Sequence, residues 1–205
     1  MPAQQAERVS IIRSVINIDK NTKHFAGFAA MVGRPNVGKS TLTNSLIGEK
    51  IAIMSDRPQT TRNKIMCILN TDNAQIMFLD TPGIHKPQHK LGQFMVRQAE
   101  GTLQEVDVVL FVVDATEKRG AGEEYILELL RKVKTPVILV VNKIDKLEDK
   151  QKLFKIIEDY SKQYKFAAIV PVSALKDTEF PGLVEEITKH LPEGPAYFPD
   201  DMITD

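Results

Sequence analysis

The segment Gly33-Arg34-Pro35-Asn36-Val37-Gly38-Lys39-Ser40 limits the fold more than any other stretch of the chain. It follows an apolar run at residues 25–32 and leads into a stretch of helical period that begins near Lys39. Its two glycines allow backbone conformations that side chains block, so successive N–H groups can turn inward, and the following helix adds the positive end of its dipole. Such a loop cradles phosphate oxygens. Lys39 can then reach the β and γ phosphates of a nucleotide, and the Ser40 hydroxyl can complete the octahedron of a Mg²⁺ held by the same phosphates. The candidate phosphate contacts are Gly33, Asn36, Val37, Gly38, Lys39, Ser40 and Thr41. Four fixed positions match by chance in on the order of one chain in a hundred of this length, so the flanking strand and helix carry the weight.

The remainder of the chain has the alternation that this unit requires. Short runs rich in Val and Ile at 64–69, 74–79, 106–113, 136–141 and 167–172 alternate with helical stretches starting near Lys39, His89, Gly122, Glu148 and Phe180. The expected fold is α/β, a three-layer sandwich with a six-stranded sheet and about five helices. Only Asn70-Thr71-Asp72-Asn73 separates the second run from the third, too little for a crossover, so that pair is antiparallel and the sheet mixed. At 205 residues and 42% apolar content the chain can bury a core without disulfides, and its single cysteine, Cys67, lies in an apolar run and reads as core. Lys plus Arg equals Asp plus Glu, 27 of each, so overall charge points to no polyanionic partner. No apolar run reaches the ~18 residues of a membrane span, and Glu7, Arg8 and Arg13 leave no signal-peptide core, which implies a cytoplasmic protein. Residues 1–24 form an extension of unassigned role, with an amphipathic stretch at 9–18, and 25–191 form the nucleotide-binding domain. Residues 192–205, with Pro192, Gly194, Pro195 and Pro199, read as a linker.

Three further motifs fall at the ends of apolar runs, the edge where a parallel sheet presents its ligands. Asp80-Thr81-Pro82-Gly83 offers a carboxylate that can hold Mg²⁺ through a water, and the Gly83 N–H can reach the γ phosphate. Asn142-Lys143-Ile144-Asp145 is suited to guanine, whose adjacent N1–H and 2-amino donors one carboxylate, that of Asp145, can accept together. Adenine offers no such pair, which argues against an ATPase. Asn142 can bond the purine edge or tie its loop to the phosphate loop, and the Lys143 stem can cover the base. Ser173-Ala174-Leu175 supplies backbone N–H groups for the guanine O6. In the polar segment 55–62, Thr61 is the candidate to close over the nucleotide, its hydroxyl on Mg²⁺ and its N–H on the γ phosphate. Ile84 stands where a Ras-type enzyme has a water-orienting glutamine; His85 beside it reads as incidental, and Arg57 and Arg62, which could neutralise developing charge, read equally well as solvated residues. Asn36, beside the phosphates, is a candidate ligand for K⁺. The candidate catalytic set is Lys39, Thr61, Gly83 and Asn36; the metal set is Ser40, Thr61 and Asp80.

Taken in order, these motifs are those of a P-loop NTPase with a Ras-like G domain. The phosphate loop with Pro58-Gln59-Thr60-Thr61-Arg62, Asp80 to His85, Asn142 to Asp145 and Ser173 to Leu175 resembles the bacterial Era GTPases from about Gly27 to Asp201. Two departures are the long leading segment and the stretch Asp177 to Gly182, which lacks the Gly and Asn that commonly follow directly on the Ser-Ala-Leu loop. The resemblance implies GTP hydrolysis with Mg²⁺ in a monomer, a role in assembly of the small ribosomal subunit and maturation of its rRNA, and peripheral membrane association. It also implies an RNA-binding KH domain, absent here, for which 192–205 would be the lead-in. Two alternatives stay open: a nucleotide-dependent switch with negligible hydrolysis, and the G domain of a tRNA-modification GTPase.

Overall fold

The computed structural model describes residues 23–47, 65–79, 100–177 and 180–199. Its elements, in chain order, are β1 Phe25–Val32, α1 Lys39–Ile47, β2 Ile65–Asn70, β3 Ala74–Leu79, β4 Val108–Asp114, α2 Ala121–Leu130, β5 Val137–Asn142, α3 Lys150–Gln163, β6 Ala168–Pro171 and α4 Pro181–Thr188. Residues 100–105 are also helical. The strands form one six-stranded sheet in the order β2-β3-β1-β4-β5-β6. β1 runs parallel to β3 and β4, β4 to β5 and β5 to β6, while β2 is antiparallel to β3, as its four-residue connection dictates. The helical stretch expected near His89 starts outside the described residues.

Why these runs make strands is visible in the two cores. Along β1, Ala29 and Met31 pack on one face while Ala30 and Val32 pack on the other; β4 does the same with Val108, Leu110 and Val112 against Val109, Phe111 and Val113. A strand apolar at every position can be buried only between two layers, and each face has its helices. Leu42 and Leu46 of α1 join Leu183 and Ile187 of α4 on the first face. Ile126, Leu127 and Leu130 of α2 join Tyr160 of α3 on the second. Cys67 is buried as expected, and burial pushes its thiol up to about 12, so it stays protonated and unreactive.

The chain leaves β1 for β2 and β3 on one side and later places β4 on the other. The order therefore reverses at β1, and the crevice at its carboxyl end is where such sheets hold ligands. At the opposite end, residues 192–199 lie along the sheet. Ala26 N–H donates to Pro192 O at 3.1 Å, and buried Gln75 holds Tyr197 and Phe198 through three hydrogen bonds.

Candidate functional site

At the carboxyl end of β1 the chain turns through the phosphate loop into α1. Gly38 adopts φ 96°, and a Cβ there would run into Asn142 Nδ2; one on Gly33 would run into the Val112 carbonyl. Both positions therefore require glycine, for space and for backbone conformation. Asn36 takes the left-handed conformation, φ 65°, at the exposed tip. Lys39 Nζ donates to Gly33 O at 2.8 Å and Arg34 O at 2.7 Å, so the ammonium is folded onto the loop itself. Burial holds its pKa below the ordinary lysine value.

A groove of about 420 Å³ opens over this loop. Asn36, Gly38, Lys39, Ser40 and Thr41 line one side; Asn142, Lys143, Asp145, Lys146, Ala174 and Leu175 line the other. Three lysines around one cavity favour an anionic ligand. Gly33, Val37 and Ser173 stand behind this surface. Val37 is buried and its carbonyl accepts Asn142 Nδ2 at 2.8 Å, while Asn142 Oδ1 accepts Ala174 N–H at 2.9 Å. Of the two roles open to Asn142, this geometry provides the tie: its amide joins the three loops. Ser45 of α1 adds a second tie, donating to Ala174 O at 2.7 Å.

Lys143 also sits in the left-handed region, φ 64°, and its ammonium donates to Asn36 O at 2.6 Å and to Asp114. Its stem thus spans the groove. Asp145 accepts the Ser173 hydroxyl at 2.6 Å, and that hydrogen bond holds its carboxyl below the usual range, keeping it ionised and able to accept two donors. Ser173 N–H donates to Asp177 Oδ2 at 2.7 Å. With Ala174 N–H on Asn142, the N–H of Leu175 is the one of the three without a partner among the described residues.

Ser40, on the first turn of α1, presents a hydroxyl to the groove, a hard oxygen donor of the kind Mg²⁺ takes. No cluster of three or more His, Cys, Asp or Glu able to hold a metal occurs among the described residues. Among the described residues Ser40 is the candidate protein-side donor for a cation that phosphate oxygens would also hold, an arrangement in which Mg²⁺ is commonly bound. Thr61, Asp80, Gly83, Ile84 and His85 lie outside the described residues, as do Arg57 and Arg62.

One participant escaped the sequence reading. Asp114 ends β4 directly beside Asn142 of β5, accepts the Thr116 N–H at 2.8 Å and hydroxyl at 2.6 Å, and anchors Lys143. Burial works to raise its pKa, but Lys143 and Thr116 outweigh it and leave the carboxyl below its ordinary value. The signal was present: a lone carboxylate at the carboxyl end of a fully apolar strand, the same placement that singled out Asp80.

With the groove described, the chain can be set beside known proteins. A family model described as "50S ribosome-binding GTPase" matches residues 28–143. This chain belongs to that GTPase family. Within the family it is similar to GTPase Era of Clostridioides difficile (strain 630), 58% identical over 180 residues that cover 88% of this chain and 61% of that one. Two solved Era structures are each 45% identical. An Aquifex aeolicus Era variant bound to GDP·AlF4⁻ has a TM-score of 0.72, over 88% of this chain and 62% of that one. Era in complex with MgGDPNP and nucleotides 1506–1542 of 16S ribosomal RNA has a TM-score of 0.74, over 89% and 62%. The chain thus spans about three fifths of the length of these Era proteins. The fold is the P-loop G domain of this GTPase family, with a mixed six-stranded sheet.

Proposed function

We propose that this chain binds GTP and GDP with Mg²⁺ and hydrolyses GTP to GDP and phosphate. The observation that carries the reading is the convergence of the glycine loop, Asn142, Lys143 and Asp145 on one groove, with Asp145 held ionised by Ser173. The phosphates lie over Gly38, Lys39, Ser40 and Thr41. The base lies between the Lys143 stem and Leu175, its N1–H and 2-amino group on Asp145 and its O6 toward the N–H of Leu175, the Ala174 N–H being held by Asn142. Asn142 serves by holding the loops together. Mg²⁺, when bound, neutralises charge on the β and γ phosphates. Ser40, Thr61 and Asp80 are its proposed protein-side contacts.

Lys39 leaves its loop carbonyls for the phosphates and stabilises charge that develops as water attacks the γ phosphorus in line. Thr61 and Gly83 supply further N–H donors. Without a glutamine at position 84, turnover is slow. Asn36, exposed at the rim, is proposed to help hold K⁺, and equal rates in K⁺ and Na⁺ would remove it from that role.

The biological setting we propose is assembly of the small ribosomal subunit and maturation of its rRNA. The family description names the large subunit, whereas the Era structure that is 45% identical was solved with nucleotides 1506–1542 of 16S ribosomal RNA, which supports the small-subunit reading. RNA contact belongs mainly to a KH domain of the kind the resemblance implies, with 192–205 leading into it. The chain is proposed to act as a monomer in the cytoplasm with peripheral membrane association. Among the described residues no helix is long and apolar enough to cross a membrane. Exchange measurements with GDP, GTP and ATP test the central claim, with Asp145→Asn expected to weaken guanine binding and favour xanthine nucleotides. Unchanged GTP affinity in that variant would overturn the base assignment, and single-turnover phosphate release separates an enzyme from a switch that only binds.

A further inference from the structure

Arg34 belongs to the phosphate loop, yet its side chain does not line the groove. Its Nη1 lies 2.9 Å from Glu123 Oε1 and 2.9 Å from Glu117 Oε2. Glu123, in the first turn of α2, is 3% exposed, and its other oxygen accepts the Gly120 N–H at 3.0 Å. The stem of Arg34 lies over Gly122, where a Cβ would come within 2.8 Å of Arg34 Cδ. At the other end of the same residue, the Arg34 carbonyl accepts Lys39 Nζ at 2.7 Å. One residue therefore joins a buried carboxylate on α2 to the ammonium that meets phosphate.

We infer that Arg34 is a positioning residue for the phosphate grip, its tie to Glu123 fixing the first half of the loop as the bond from Asn142 to the Val37 carbonyl fixes the second. The loop needs both. Pro35 and Asn36 between the ties are exposed, and Asn36 has a left-handed backbone, so the tip has little packing of its own. A loop fixed in advance loses less freedom when the ligand arrives, and that saving appears as affinity. The inference rests on the groove being a nucleotide site, and it assigns the tie to the β and γ phosphates rather than to the base.

Competition of GTP, GDP and GMP against a fluorescent guanine nucleotide, in the full chain with Mg²⁺, tests it. Arg34→Ala and Glu123→Gln should each weaken GDP and GTP by about tenfold while changing GMP far less, since a lost hydrogen bond to a charged partner is of that size. The double variant should cost no more than either single one, because both break the same link. Arg34→Lys should restore most of the loss, an ammonium being able to meet the carboxylate. Gly122→Ala, which displaces the arginine stem and keeps both charges, should lower the preference for GDP over GMP in the same direction. That preference, unlike thermal stability, does not move if the ion pair only holds the fold together. A wild-type preference in Arg34→Ala and Gly122→Ala, or a lysine no better than alanine, overturns the tie alone. If the unaltered chain binds no guanine nucleotide, the functional reading falls and takes the tie with it.

Discussion

Asp114 acts on the groove without facing it. Its carboxylate holds the Lys143 ammonium, which also reaches Asn36 O, so removing it frees the cation that spans the base and phosphate halves of the site. Asp114→Ala is expected to weaken GDP by about tenfold or more, the scale of one hydrogen bond between charged groups. Isothermal titration against the unaltered chain measures this. The same residue makes a pH prediction. Its folded pKa is depressed, as is that of Asp145, so both favour the folded state when ionised. Their stabilisation is complete above the unfolded carboxyl value of about 3.9 and is lost as pH falls through the lower folded values. Urea midpoints should therefore be insensitive to these two groups from pH 7 to 5 and decline below about pH 4. Asp114→Asn should show a shallower acid decline; an identical one would mean that the ion pair with Lys143 adds nothing to the folded state.

At the level of elements, the sequence disclosed what repeats and hid what occurs once. The all-apolar runs gave six strands because burial on both faces leaves that mark, and the four residues between β2 and β3 gave the antiparallel pair. Boundaries moved by one or two residues where burial and pairing part company: Val106 is buried but lies in the turn after helical residues 100–105, and Val172 is buried beyond the end of β6. The motifs placed most of the groove. Arg34 with Glu123 was illegible, since no period marks a pair 89 residues apart. Gln75 was illegible for the same reason. It is 1% exposed, donates to Asn70 Oδ1 at 2.9 Å and Phe198 O at 2.9 Å, and accepts the N–H groups of Tyr197 at 2.7 Å and Phe198 at 2.9 Å. Proline and glycine in 192–199 record a connection and carry no trace of the strand it lies against. Gln75→Leu should destabilise the chain by about 1–3 kcal/mol in urea unfolding, because the partners in 192–199 lose their bonds but can turn to water. In a chain ending at 191 the same change should be neutral or stabilising, since the buried amide has then lost most of its partners. Equal destabilisation in both would show that Gln75 acts through the sheet alone.

For the whole molecule, the decisive fact is where the loops meet. The phosphate loop follows β1, Asn142 ends β5 and Ala174 follows β6, with Asp114 at the end of β4 holding Lys143 from behind, so a ligand in the groove touches the outflow of three strands that share one buried sheet. Unfolding separates these strands and destroys the site, so nucleotide binds the native state and not the unfolded chain. Ligand present at about 100 times its dissociation constant then adds about 2.7 kcal/mol. For a domain of this size that is a rise in Tm of about 5–10 °C. GDP with Mg²⁺ should produce it, and ADP with Mg²⁺ should not, because Asp145 would be left without its two donors. Removing the metal with EDTA should shrink the rise with GDP, since the link that the metal would make between the Ser40 hydroxyl and the phosphates is then lost. Calorimetry with the three mixtures reads all of this on one scale. An equal rise with ADP would detach Asp145 from base recognition and leave the groove a general phosphate site; a rise with GDP indifferent to EDTA would detach Ser40 from the metal.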